Sequence, residues 1–215
     1  MAHRKGNLMM TKLDLKKTLK DLYNPSAKAV SEVVVPPMNF IMVDGTGDPN
    51  NEVEFQPRAE VLYALSYTLK FASKQQLGID YGVMSLEGLW WVDGLYPVDP
   101  TSSDRTTWKW TLMIMQPEHI TPEFYEAAVD SVRRKKNPLL LPNCRFERCD
   151  EGRAAQIMHI GPYSAEKPNI DRVHAYIAEH GGKPSGKHHE IYLGDPRKSA
   201  PEKLKTILRQ PFQSA

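Results

Sequence analysis

Ala154-Ala-Gln-Ile-Met-His-Ile160 runs into Gly161-Pro162-Tyr163, and Lys187-His-His-Glu-Ile-Tyr-Leu193 follows further along. The first segment reads as a strand and Gly-Pro-Tyr as a turn. Between the turn and the second segment, Ile170, Val173 and Ile177 share one helical face, and Gly181-Gly182 stops the helix. The second segment alternates as a strand does, and Lys203–Pro211 supplies a last strand through Leu204, Ile207 and Leu208. The same order recurs upstream. Val30–Val43 is β-branched and aromatic, broken at Pro36-Pro37, and Gly45–Asn51 is loop. Residues 56–72 carry Leu62, Leu65 and Leu69 on one stripe with Tyr63 and Tyr67 beside it, which predicts a helix. Ile79–Trp91 and Thr106–Met115 predict a hairpin with a long loop over 97–104. Two strand–turn–helix–strand–strand halves, about 30–115 and 152–211, predict an α+β fold. It has duplicated βαββ-type halves and an antiparallel sheet with helices on one face.

The remaining segments are secondary to this plan. Residues 1–29 read as an N-terminal helical arm, with Leu15, Leu19 and Leu22 at helical spacing over 12–22. Thr121-Pro122-Glu123 opens a helix by an N-cap, a first-turn proline and an acid, with Phe124, Ala128 and Val132 as its buried stripe. Its basic end, Arg133-Arg-Lys-Lys136, complements the helix dipole on a solvated face.

Composition excludes several classes. Among 215 residues, 28 Lys and Arg balance 26 Asp and Glu, a net charge of +2, which argues against nucleic acid as a partner. Nothing approaches the roughly 18 apolar residues of a membrane span, and no secretory signal follows the basic Met1–Met10 stretch, so a cytoplasmic chain is expected. Cys144 and Cys149 have no Cys or His at zinc-ligand spacing and read as reduced thiols. The GxG at Gly45-Thr-Gly47 lacks the third glycine or lysine of a phosphate loop. No cofactor and no metal are expected.

Chemistry concentrates in a few residues. On the 187–193 strand, His189, Ile191 and Leu193 point one way and His188, Glu190 and Tyr192 the other, so His188-His189-Glu190 cannot chelate one ion. Helices require an apolar face, which predicts that they cover the Ile191 side and leave Glu190 and Tyr192 on the open face. Glu190 reads either as a solvated strand residue or as an acid or base beside a phenol able to steady an oxyanion. Glu87, in Leu86-Glu-Gly-Leu-Trp-Trp91, is a second candidate acid. All four tryptophans (Trp90, Trp91, Trp108, Trp110) fall within 21 residues. Trp108 and Trp110 share a face that suits a core, and Trp90 and Trp91 must oppose each other, so two of the four are expected to meet a ligand. Aromatics plus a carboxylate suit flat or cationic organic molecules. Tyr163 reads as packing at its turn.

The ordered set His159-Ile-Gly161-Pro162-Tyr163, a helix, then Glu190-Ile-Tyr192-Leu with Asp195-Pro196 beyond, resembles the GyrI-like small-molecule-binding superfamily. Val43-Asp-Gly-Thr-Gly-Asp-Pro-Asn50 and Leu86–Trp91 resemble the first half of its stand-alone members. The resemblance covers about residues 30–212. It implies paired βαββ units related by a pseudo-twofold axis, and a cleft for hydrophobic, often cationic, molecules in a monomer or homodimer. Some stand-alone members are hydrolases that open the cyclopropane of DNA-alkylating natural products. Carried over, Glu190 and Tyr192 would be catalytic, and Trp90, Trp91, Trp110, Tyr67, Glu87 and Tyr163 would contact the ligand. The alternatives are a non-catalytic drug-sequestering module or, from the superfamily's name, contact with a protein partner such as gyrase.

Overall fold

A computed structural model describes residues 10–94 and 105–215; the basic residues 1–9 and the loop expected over 97–104 lie outside them. The described strands are β1 (Thr11–Leu13), β2 (Ser31–Val35), β3 (Met38–Thr46), β4 (Ile79–Tyr81), β5 (Leu86–Trp91), β6 (Lys109–Gln116), β7 (Arg145–Cys149), β8 (Gly152–Ile160), β9 (Gly182–Pro184), β10 (His188–Tyr192) and β11 (Lys205–Ser214). The helices are α1 (Leu15–Thr18), α2 (Lys20–Tyr23), α3 (Glu52–Leu77), α4 (Pro122–Lys135) and α5 (Lys167–Glu179).

The main sheet is antiparallel and orders its strands β2-β8-β11-β10-β5-β6-β3-β7. Outward from the β10–β5 junction, each half runs β10-β11-β8 or β5-β6-β3, built by strand, helix, strand, strand. Pro36-Pro37 breaks the Val30–Val43 run as expected, but the two pieces part company. β2 pairs with β8 in the other half, and β3 stays with β6. The Ile79–Trp91 stretch also divides: β4 pairs in parallel with β1, and β5 enters the main sheet.

α3 is longer than the predicted 56–72. Asn51 caps it through the Val53 amide, and Gly78 at φ 70° ends it in the left-handed conformation a Cβ would penalise. Leu62, Leu65 and Leu69 are fully buried. Thr121 caps α4 as the sequence indicates, accepting from the Phe124 amide. Tyr125 rather than Phe124 is its buried aromatic, stacked on Phe146 of β7 at 5.6 Å. The arm departs from one helix over 12–22, folding as β1 and the single turns α1 and α2.

Cross-strand partners share a face, so the pairings fix which side each residue occupies. Ile157, Ala155, Leu208 and Phe212 pack under Ile170, Val173 and Ile177 of α5. By register that is the face of Glu190 and Tyr192. α3 covers the same face of the first half, where Phe55 meets Trp110 at 5.9 Å and Ser66 accepts from Gln116. The expectation that the helices would cover the Ile191 face is therefore reversed. Glu190 and Tyr192 sit on the helical side, and the far side is closed by the arm through Leu22 and Tyr23.

Candidate functional site

α3 and α5 do not meet over the β5–β10 junction, and the gap between them is a cleft of about 740 Å3, within the range of small-molecule sites. Its floor is Leu86, Trp90, Glu190 and Tyr192. Phe55, Ala59, Tyr63 and Tyr67 of α3 form one wall; Tyr163, Glu166 and Ile170 at the start of α5 form the other. Trp108 and Arg105 close one end, and the Gly194–Lys198 loop closes the mouth.

The polar chemistry lies on the floor. Tyr192 donates its hydroxyl hydrogen to Glu190 Oε2 at 2.7 Å, and the other oxygen, Oε1, lies 3.4 Å from His188 Nε2. Glu190 is 7% exposed and Glu166 4%. Burial, then the charge of Glu190, pushes the Glu166 carboxyl up to about 9, so it is protonated at neutral pH. Burial and Glu190 raise Tyr192 well above the usual phenol value, and burial with Glu166 and Glu190 moves Tyr163 to about 12. Both phenols therefore stay neutral donors. Tyr163 meets Tyr192 edge-on at 5.7 Å, so this turn residue does line the cleft rather than only pack the turn. Two buried polar atoms lining the cleft, Trp90 Nε1 and Glu166 Oε1, have no hydrogen-bond partner, and neither do His188 Nε2 on β10 and Thr206 Oγ1 on β11. Trp90 lies over Gly88, where a Cβ would be 2.9 Å from the indole Nε1. Gly88, the cross-strand neighbour of Glu190, thus lets the indole lie against the sheet.

Not all of the expected ligand contacts converge. Trp90, Tyr67 and Tyr163 line the cleft with Glu190 and Tyr192. Trp110 is fully buried over Gly45, beneath Phe55 and Arg58, and does not reach it. Trp91 is on the opposite face, with Lys187 Nζ 3.4 Å from its ring centre. Two of the four tryptophans do border the cleft, but the second is Trp108, which the sequence placed in the core.

Glu87 is also corrected. It is fully buried on the far face, accepting from Tyr23 Oη at 2.7 Å and lying 2.9 Å from His189 Nε2. His189 Nδ1 contacts Glu151 at 2.9 Å, and Arg209 binds Glu151, Gln156 and the Leu22 carbonyl. This is a closed ionic network that clamps the arm, with no opening to the cleft. Glu166, Tyr63 and Trp108 were missed. Glu166 could have been suspected from its place one turn from Tyr163, just before Pro168 opens α5.

The thiols offer no nucleophile: both cysteines are free, and burial pushes Cys144 up to about 12 and Cys149 to about 11. Among the described residues no three His, Cys, Asp or Glu side chains are grouped to hold a metal ion, and no helix is long and apolar enough to cross a membrane.

An aromatic cleft over a carboxylate, set between the two halves of an antiparallel sheet, defines a small-molecule-binding module. Residues 28–211 match the GyrI-like small molecule binding domain, and the chain belongs to that family. Among solved structures, an uncharacterised conserved protein from Listeria innocua is 39% identical with a TM-score of 0.84, matched over 94% of this chain and 100% of its own. A hydrolase from Listeria innocua is 40% identical with a TM-score of 0.83 over the same shares. The C-terminal domain of EcmrR, at 10% identity and a TM-score of 0.52 over 86% of this chain and 98% of its own, shares the fold alone. No match was found among curated proteins.

Proposed function

We propose that this chain is a cytoplasmic detoxification protein that takes flat, hydrophobic molecules into the cleft and opens a strained ring by hydrolysis, as in cyclopropane-bearing alkylators. The observation that supports it is the hydrogen-bonded Glu190–Tyr192 pair flooring a cleft walled by aromatic rings. Similarity to a Listeria innocua hydrolase agrees with it.

In this reading Glu190 takes a proton from water as the water oxygen bonds to a ring carbon. The cyclopropane carbon–carbon bond breaks, and its electron pair moves through the conjugated system onto the carbonyl oxygen. That oxygen then receives a proton, giving the ring-opened alcohol. Tyr192 spends its hydrogen on Glu190, so its part is to aim the base rather than to steady the oxyanion. Trp90 Nε1–H and the protonated Glu166 are the donors left for the carbonyl.

Incubation with a cyclopropane-bearing alkylating dienone tests this. The expected product is the substrate plus one water by mass spectrometry, with its new oxygen drawn from labelled solvent. Equal turnover by Glu190→Gln would remove Glu190 as the base. Saturable tryptophan quenching by flat dyes with no product would leave a sequestering module, the reading favoured by two carboxylates with no lysine or arginine ion pair.

A further inference from the structure

Two buried carboxylates share this cleft, and none of the ion pairs among the described residues joins either to a lysine or arginine. In a poorly solvated space both cannot be ionised without a counter-charge. Their surroundings show which keeps the charge. Glu190 accepts a hydroxyl hydrogen from Tyr192 and has His188 Nε2 at 3.4 Å. Glu166 Oε1 has no partner. The cations that line the cleft stand away from the buried pair: Lys16, Arg197 and Lys198 are exposed, and Arg105 pairs with Asp48 at 3.7 Å. Tyr163 stands on the turn before α5, Thr206 on β11 opposite Tyr192, and Tyr63 and Tyr67 across the cleft on α3. On the mouth loop, Asp195 is occupied by Arg197 at 3.0 Å. Further along α5, burial and then His188 lower the pKa of His174. Trp90 Nε1 is a second orphaned polar atom in the same space.

We infer that Glu166 and Glu190 hold one proton between them in the empty cleft, and that an aromatic cation binds by displacing that proton to solvent. The inference rests on the reading of the cleft as a site for flat molecules and adds a proton exchange to it. The elevated titration of Glu166 agrees with the proton residing there. An entering cation supplies the missing counter-charge, so Glu166 ionises and its proton leaves. Charge inside the cleft is then unchanged by binding: one positive charge enters and one leaves. A neutral molecule of the same shape leaves the proton in place and can accept a hydrogen bond from it. The cleft thus accommodates neutral and cationic molecules with the same residues, and only the second class is linked to pH.

Linkage fixes the sign. Below the Glu166 pKa of about 9, each unit of rising pH makes the displaced proton easier to give up. Cation affinity should therefore climb roughly tenfold per pH unit towards that value, and affinity for a neutral analogue should not change.

The test is titration calorimetry of the full chain with ethidium, a planar cation of fixed charge, and with phenanthridine, its neutral relative at pH 7.5. Runs in phosphate and in Tris separate proton release from binding heat. The expected result is release approaching one proton per ethidium and none per phenanthridine. Glu166→Gln should abolish the release and flatten the pH dependence; His188→Gln should retain both. Ethidium binding without proton release, or release undiminished in Glu166→Gln, would overturn the exchange while leaving the cleft a binding site. Absence of heat and of tryptophan quenching with both probes would overturn the binding reading and this inference with it.

Discussion

Single residues in this cleft are set by what lies under or beside them. Trp90 can lie flat only because position 88 has no side chain. Gly88→Ala should push the indole off the sheet, cost about 1–3 kcal/mol and weaken dye binding several-fold, read by denaturant midpoint and by tryptophan quenching. Gly45→Ala meets the six-membered ring of Trp110 instead. It should destabilise without touching the cleft, so dye affinity per folded molecule should hold. Glu190→Gln should lower turnover of a strained substrate by roughly 10²–10⁴-fold in a product assay, with thermal stability retained. The alternation of Glu190 and Tyr192 was legible from the chain; their side of the sheet was not. His188, His189 and Glu190 are three consecutive polar residues, all buried. Periodicity assumes polar means exposed, and a strand flanked on both sides with both faces covered violates that assumption.

At the scale of elements, the site is the space α3 and α5 leave uncovered. Helix existence, caps and stripes were readable because they are local: Thr121 caps α4 and Leu62, Leu65 and Leu69 are buried as the spacing indicates. The assignment of β2 to the second half was not readable, because nothing within Ser31–Val35 encodes its distant partner β8. The arm is attached in part by polar contacts. Tyr23 reaches Glu87, Arg209 reaches the Leu22 carbonyl, and Gln156 reaches the Asp21 carbonyl. Tyr23→Phe leaves a buried carboxylate oxygen without its donor and should cost about 1–3 kcal/mol. Hydrogen exchange should then quicken over residues 15–23 before it quickens in β10.

For the whole molecule, the far-face network ties stability to pH at both ends. Burial works against a charged His189, but Glu151 and Glu87 outweigh it and hold its pKa up at about 9. Burial likewise raises Glu151, but His189 and Arg209 bring it down to about 2. A raised histidine stabilises fully below its unfolded value of about 6.5, and that contribution drains away as pH climbs through about 9. A lowered glutamate stabilises fully above about 4.5 and loses its contribution as pH falls through about 2. The unfolding free energy from urea titrations should therefore decline from pH 6.5 to 9, by on the order of 3 kcal/mol through His189, and the buried Glu166, also raised to about 9, adds to the same decline. His189→Ala should lose about 3–5 kcal/mol at neutral pH and show a flatter alkaline limb.

β10 carries the cleft's acid on one side and the network's histidine on the other, one residue apart. A slip of one position would aim His189 and Ile191 into the ligand space and turn Glu190 and Tyr192 towards Glu87 and Glu151. Glu190 would then confront Glu87 and Glu151 with His189 withdrawn from between them. Misalignment is thus penalised twice, once by each surface. Deleting a single residue from His188–Tyr192 should cost folding itself rather than only the reaction, and the length of this one strand is the dimension of the protein least open to change.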